Sequence, residues 1–350
     1  MLSTNKLRFW LLAIGCLPAR PFFVLMMAGV FLASCSHNRL DVDVSQIKVD
    51  PVKIQRFDQD FFSLNAGNIV QKLPELQKKY PGFTDLYVQN ILCPHGINDS
   101  ACIPEITRFV ADKDMRGAYD ESQKVFPDMN SVETQLANVF RHYEYYYPNA
   151  KLPKVIAMMS GFNYAIESSF FSIGLDMYLG SKNRFYEMLQ FPGYKRVNMR
   201  KEYIVNDLVH AWMVKVYPNT NKSGTLLNEM IYQGKLLYLV DALMPAEQDT
   251  IKIGFTKKQL DWCIANENNM WGYLIQNKFL YSNDITIVTK LTGDAPFTTG
   301  FVKESPGRTG VWIGWRIVRK YMNDNPKITL DQLMQENDPQ KILAQSKYKP

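Results

Sequence analysis

The sequence predicts one α+β domain, mostly helical with a small sheet. From Lys201 onward apolar residues recur at helical spacing over 201–217, 223–243, 256–280 and 309–323. Two short apolar runs, Val155–Met159 and Phe170–Leu179, read as strands, and Gly180 closes the second. No repeat, low-complexity tract or linker divides the chain, so helices and sheet share one core. Apolar residues make up 46% of the 350 and aromatics 13%, enough to fill such a core without disulfide staples.

The N-terminus is a targeting segment. Lys6, Arg8 and Arg20 precede an uncharged apolar run from Phe22 to Leu32, followed by Leu32-Ala33-Ser34-Cys35. A basic start, an apolar centre and small residues before a cut make a secretory signal. Leu-Ala-Ser-Cys is the lipobox pattern, in which residues 1–34 leave and Cys35 takes a diacylglycerol. The alternative is an uncut transmembrane helix with a free Cys35. The net charge of +6 includes those three cations, so the chain from Cys35 carries +3. No Lys/Arg cluster with interleaved aromatics accompanies it, and nucleic-acid binding is excluded.

Residues 35–50 read as a polar, lipidated tether, and 51–350 as the globular domain. Val52–Phe57 alternates as a first strand. Residues 58–80 follow as a helix, with Phe61, Phe62, Leu64, Val70, Leu73 and Leu76 on its apolar side. Tyr80-Pro81-Gly82 ends it. Helical patterns cover 105–126 and 131–147. The second runs into Tyr143-Glu144-Tyr145-Tyr146-Tyr147, read as packing at a helix end. Val155–Met159 and Phe170–Leu179 are expected to form a hairpin-like pair. Cys93 and Cys102 flank a loop that contains His95. In an oxidising compartment a local disulfide suits them, and a metal reading through His95 lacks ligands. Cys263, beside Trp262, reads as a small buried hydrophobe.

Chemistry concentrates in Tyr203–Trp212, an apolar helix with Asn206, Asp207 and His210 inside it. Asn206 and His210 are four apart and share a face. The layout is that of the zinc helix His-Glu-x-x-His with its first His replaced by Asn206 and its Glu by Asp207. A later helix would supply a third ligand, and there Glu229 and Gln233 are again four apart. Amides are poor zinc ligands. The competing reading is an ordinary helix whose polar residues satisfy one another. Ser160-Gly161-Phe162 after the first apolar run reads as a turn, since no His is placed to serve Ser160. Ser305 or Thr309 is positioned to cap the helix from 309, and Arg308 there would suit an anion. Trp312 and Trp315 read as core.

Four stretches carry a family resemblance: Gln55-Arg56-Phe57-Asp58-Gln59-Asp60-Phe61, Met230–Tyr238, Trp262–Glu267, and Ala295-Pro296-Phe297-Thr298 with Ser305-Pro306-Gly307-Arg308 and Ile313-Gly314-Trp315. With the lipobox they resemble the gliding motility lipoprotein GldB family of Bacteroidetes. The resemblance implies a lipid-anchored protein of the cell envelope. Ser36 after Cys35 gives no acidic retention signal, which favours the outer membrane, and Ser36 to Asp41 does not match an acidic surface-export tag, which favours its periplasmic face. Its expected partners are the membrane and envelope proteins of the gliding or linked secretion machinery. The family is similar to predicted zinc proteases with His-Glu-x-x-His and a later Glu-Gly. That similarity implies a zincin-like fold with a degenerate metal site at Asn206, Asp207, His210 and Gln233, to which the spacing of the later helix adds Glu229. The strand Phe170–Leu179 would then border the cleft. A non-catalytic binding role without cofactor is expected. The alternative is a zinc-dependent metallopeptidase using His210, Glu229 and Asp207.

Overall fold

The computed structural model describes residues 39–167 and 169–350, and the signal segment with Cys35 lies outside them. One compact unit runs from Arg39 to Pro350. It begins inside the expected tether: Leu40 and Val44 are already buried. The first strand is short. β1 spans only Gln55–Arg56, and Phe57 opens helix α1, Phe57–Phe62.

The expected helix over 58–80 is two helices. After α1 the Asn65–Asn68 segment binds its own backbone: Asn65 Oδ1 accepts from Gly67 N at 2.9 Å and Asn68 Oδ1 from Asn65 N at 2.8 Å. Side chains that offer the backbone a turn end a helix whatever the apolar spacing says. α2, Ile69–Lys79, then starts in a new phase, with Ile69 buried and Val70 exposed. α3 is Phe83–Ile91. The pattern over 105–126 divides the same way into α4, Cys102–Ala111, and α5, Lys113–Val125. Asp112 caps α5, accepting from Asp114 N at 3.0 Å and Met115 N at 2.9 Å. α6, Asn130–Tyr146, buries Val132, Leu136, Val139, Phe140 and Tyr143 as its stripe predicts, and Tyr143 packs on Tyr147 and Trp212.

Three further strands complete the sheet: β2, Ile156–Met158, β3, Ile166–Glu167, and β4, Ser172–Gly174. Their order is β1-β2-β4-β3. β2 runs parallel to both β1 and β4, so the two apolar runs do not form a hairpin with each other. The hairpin is β3 with β4, antiparallel. The second run also stops being a strand early, because Leu175–Tyr178 turns into a 3-10 helix. Asp176 explains that turn. Its buried carboxylate reaches back to accept from Ser160 N at 2.8 Å and Phe162 N at 2.6 Å. Gly174 permits it, since a Cβ there would overlap the Tyr164 carbonyl and stand 3.0 Å from Ser160 Cβ.

The rest is helical: α7, Arg184–Met188; α8, Gly193–Arg196; α9, Ile204–Val216; α10, Leu226–Leu243; α11, Asp249–Ile253. The expected 256–280 helix is α12, Lys257–Ala265, and α13, Glu267–Gln276, broken at Asn266, whose amide donates to Trp262 O at 2.9 Å. α14, Ile285–Thr292, α15, Thr309–Asp324, α16, Leu330–Gln335, and α17, Pro339–Ser346, finish the chain. α10 is buried on nearly every side and is the axis of the domain. It packs most extensively on α15, where Gly234 meets Gly314. Trp312 and Trp315 are buried in that helix. Among the described residues no helix is long and apolar enough to cross a membrane.

Candidate functional site

A cleft of about 1180 Å³ opens where α9 and α10 approach the edge of the sheet. α9 supplies Asn206, Asp207 and His210, and α10 supplies Gln233. Ala165 and Ile166 of the β3 edge form one wall, and the 294–308 loop with Arg308 forms another. The apolar side of α9 explains the placement. Ile204, Val205, Leu208, Val209, Trp212 and Met213 are buried in the core, which turns the polar residues toward the opening.

Asp207 is held from two sides. The Tyr178 hydroxyl donates to its Oδ2 at 2.8 Å, and Asn206 Nδ2 approaches its Oδ1 at 3.4 Å. Burial pushes its carboxyl up to about 6, against the downward pull of those bonds and of the Arg308 charge. Burial, followed by the same Arg308 charge, pushes His210 down to about 4. Near neutral pH the imidazole is uncharged. Asn206 Oδ1 is buried and has no partner among the described residues.

Glu229 stands apart from this group. It does not line the cleft; its Oε1 accepts from Gln233 Nε2 at 2.8 Å, and its Oε2 from Asn219 Nδ2 at 3.4 Å. Four of the five expected positions therefore meet in the cleft, and the fifth orients one of them from outside. A zinc ion does not fit. At the positions expected to hold it, the cleft presents one imidazole, one short carboxylate already bonded to Tyr178, and two amides. Among the described residues no three His, Cys, Asp or Glu side chains gather as a metal-holding group.

The 294–308 loop is fixed by its own hydrogen bonds. Thr298 N and Oγ1 donate to Pro306 O at 2.9 and 2.8 Å, and Thr309 Oγ1 donates to Thr298 Oγ1 at 3.1 Å. Neither Ser305 nor Thr309 caps α15, because both face this lock instead. Arg308 occupies the cap position with φ of 55°, and no side chain caps the helix. Its guanidinium donates to Ile253 O and pairs with Asp294 at 3.4 Å. The positive end of α15 and the Arg308 cation thus stand together at the cleft wall.

Ser160 is spent on structure, as its reading as a turn implies: fully buried, it donates to Asp176 Oδ1 at 3.0 Å. Cys93 and Cys102 are both buried and free, and Cys102 hydrogen-bonds to Cys93 while His95 is exposed. Cys263 is buried. One residue of the site and one that supports its wall escaped the sequence reading. Tyr178 sits in an apolar run that gives no sign of a polar role. Asp176 is hidden in the same run, where a lone Asp in an apolar stretch was the available signal.

The profile of the gliding motility protein GldB matches residues 37–350, all but the segment around the lipobox. The chain belongs to the GldB family. No curated protein and no solved structure matches it. The family match covers every residue of the cleft, so the cleft is a feature of a GldB domain and not of an added module.

The paired titrations of this GldB site make a pH prediction. Asp207 rises from 3.8 to about 6 on folding, so within that window the folded chain keeps a proton that the unfolded chain has lost. That contribution to stability falls as pH rises through the window. His210 falls from 6.5 to about 4, so there the unfolded chain holds the proton and stability is lost as pH falls. The two contributions oppose each other and nearly cancel between about pH 4 and 6. Relative to the parent profile, His210→Ala is expected to gain stability on acidification through that window and Asp207→Asn to lose it. At 1.36 kcal/mol per unit, each change reaches up to about 3 kcal/mol. Urea midpoints across the window check it, and two variants that both track the parent would refute the pairing.

Proposed function

We propose that this GldB-family lipoprotein is anchored through a diacylglycerol on Cys35 and binds an extended peptide in the α9 cleft without cleaving it. The observation that carries the reading is the position of β3. It is the terminal strand of the sheet, and Ala165 and Ile166 line the cleft. Ala165 O accepts from Gly174 N at 2.9 Å, so by strand alternation the Ile166 N–H and C=O point away from β4. A peptide strand can pair there and lay its side chains along the cleft.

The zincin-like reading of the fold belongs to the same proposal. A polar helix beside an edge strand is the layout of such clefts, with amides at 206 and 233 where ligands would stand. Catalysis is not part of it, since Asp207 is engaged by Tyr178 and Glu229 lies outside the cleft. The domain works in the cell envelope, at the outer membrane on its periplasmic side. Its peptide partners belong to the gliding or secretion apparatus.

Binding of residues 36–350 to an arrayed peptide library tests this reading. Ile166→Pro removes the outward N–H and leaves the β4 ladder intact. It is expected to weaken peptide binding at least tenfold, about 1.4 kcal/mol or more, in a protein that melts like the parent. His210→Ala is expected to leave gliding intact. Equal peptide binding by Ile166→Pro, or loss of gliding in a folded His210→Ala strain, would end the proposal.

A further inference from the structure

The chain is fixed to the domain immediately after the expected anchor. Arg39 donates to Met322 O at 2.7 Å, Asn325 O at 3.5 Å and Ile328 O at 2.6 Å. These carbonyls lie at and just beyond the C-terminal end of α15, the negative end of its dipole, where a cation is stabilised. Leu40, the next residue, is 5% exposed and belongs to the core. Only Ser36, His37 and Asn38 separate Cys35 from this holding point. An extended chain over that interval spans at most about 14 Å.

The surroundings of Arg39 suit a lipid surface. Its charge acts on the Tyr146 hydroxyl, which places the tyrosine end of α6 beside it. Tyr145 packs edge-on against Tyr146 with ring centroids 5.0 Å apart and is 46% exposed. The Tyr146 hydroxyl is buried, so Tyr145 is the tyrosine that faces outward here, and an exposed tyrosine with its amphipathic ring favours the headgroup layer. Lys327 is exposed on the segment that receives Arg39. A lysine there meets an anionic headgroup favourably.

The cleft lies at the other end of the same helix. Gly307, Arg308 and Val311 line it, and Arg308 is the N-cap of α15. α15 has 16 residues, and at 1.5 Å per residue its ends are about 24 Å apart.

We infer that the face formed by Arg39, the C-terminal end of α15 and the tyrosine end of α6 rests on the lipid bilayer, and that α15 carries the cleft away from it. The partner of this face is a phospholipid surface. The inference rests on the Cys35 anchor and is independent of what the cleft binds. It explains why the tether is short: a slack one would let the cleft turn toward the bilayer, and three residues do not.

The full acylated protein in vesicles of phosphatidylethanolamine and phosphatidylglycerol tests it. Lys327→Cys and Lys303→Cys are surface changes at the two ends and accept a fluorescent label, while Cys93, Cys102 and Cys263 are buried. Energy transfer to a labelled lipid is expected to be several-fold stronger from position 327 than from 303. Equal or reversed transfer in protein whose mass shows the diacylglycerol overturns the orientation alone. A mature protein without the lipid mass removes the anchor, and the orientation with it.

Discussion

Gly314→Ala is expected to destabilise the domain by about 3 kcal/mol or more, at or beyond the upper end for overpacking. A Cβ on Gly314 would overlap the Met230 carbonyl oxygen, with the carbonyl carbon 2.5 Å away. Gly234 faces it: a Cβ there would overlap the Gly314 carbonyl oxygen and stand 2.8 Å from Trp315 N. Both obstacles are backbone in the middle of long helices, so no side chain can swing aside. α10 and α15 must separate, and α10 is the axis of the core. For a domain of this size a change of about 3 kcal/mol moves Tm by roughly 5 °C. Gly234→Ala should behave alike. A thermal scan that finds either variant within about 2 °C of the parent would show that the helices have slack at this crossing.

That crossing also changes the meaning of a motif. Gln233-Gly234 stands where the expected similarity to zinc proteases would put Glu-Gly, which suggested a remnant of metal chemistry. The crossing gives Gly234 a packing reason of its own, and Gln233 alone enters the cleft. Residue identity was legible in the sequence. The reason for the glycine was not, because it depends on a helix some 80 residues later.

The helical half of the fold was legible because amphipathic spacing is local. α6, α9, α10 and α15 fall where that spacing places them. The errors come from side chains that compete for the backbone. Asp112, Asn266 and the Asn65–Asn68 turn each break a helix that apolar periodicity alone would continue. Those residue types are turn and cap formers, so the signal was present and periodicity outweighed it. The sheet failed for a different reason. The pairing of β2 with β4 is set by Gly174 and Asp176 meeting the Ser160–Tyr164 turn, a contact that no window of sequence contains. The site was half legible. The i, i+4 rule put Asn206 and His210 on one face, and the same rule put Glu229 beside Gln233 without revealing that Glu229 lies outside the cleft.

The second large effect is expected at Asp241, a buried carboxylate shared by α10, α11 and α15. It accepts from Lys252 Nζ at 3.0 Å, Arg319 Nε and Nη2 at 2.7 Å, and Trp315 Nε1 at 2.9 Å. Arg319 turns its other edge to Asp249 at 2.7 Å and lies 3.6 Å over the Trp315 ring. Two anions balance two cations, and each oxygen of Asp241 receives two donors. Asp241→Ala leaves the Lys252 ammonium buried with no carboxylate, and breaking a buried pair this way costs about 3–5 kcal/mol. The charge argument makes a sharper claim than the loss itself. Asp241→Asn with Lys252→Met restores neutrality and keeps Arg319 on Asp249, so the pair of changes should be less damaging than Asp241→Asn alone. Chemical denaturation of the three variants decides it. If the double variant is the weakest, the network holds by geometry and not by charge balance. The cleft reports the outcome too, because Lys252 and Ile253 form part of its wall and Ile253 O receives Arg308. A loosened α11 would let Arg308 move and weaken the proposed peptide binding before the domain unfolds.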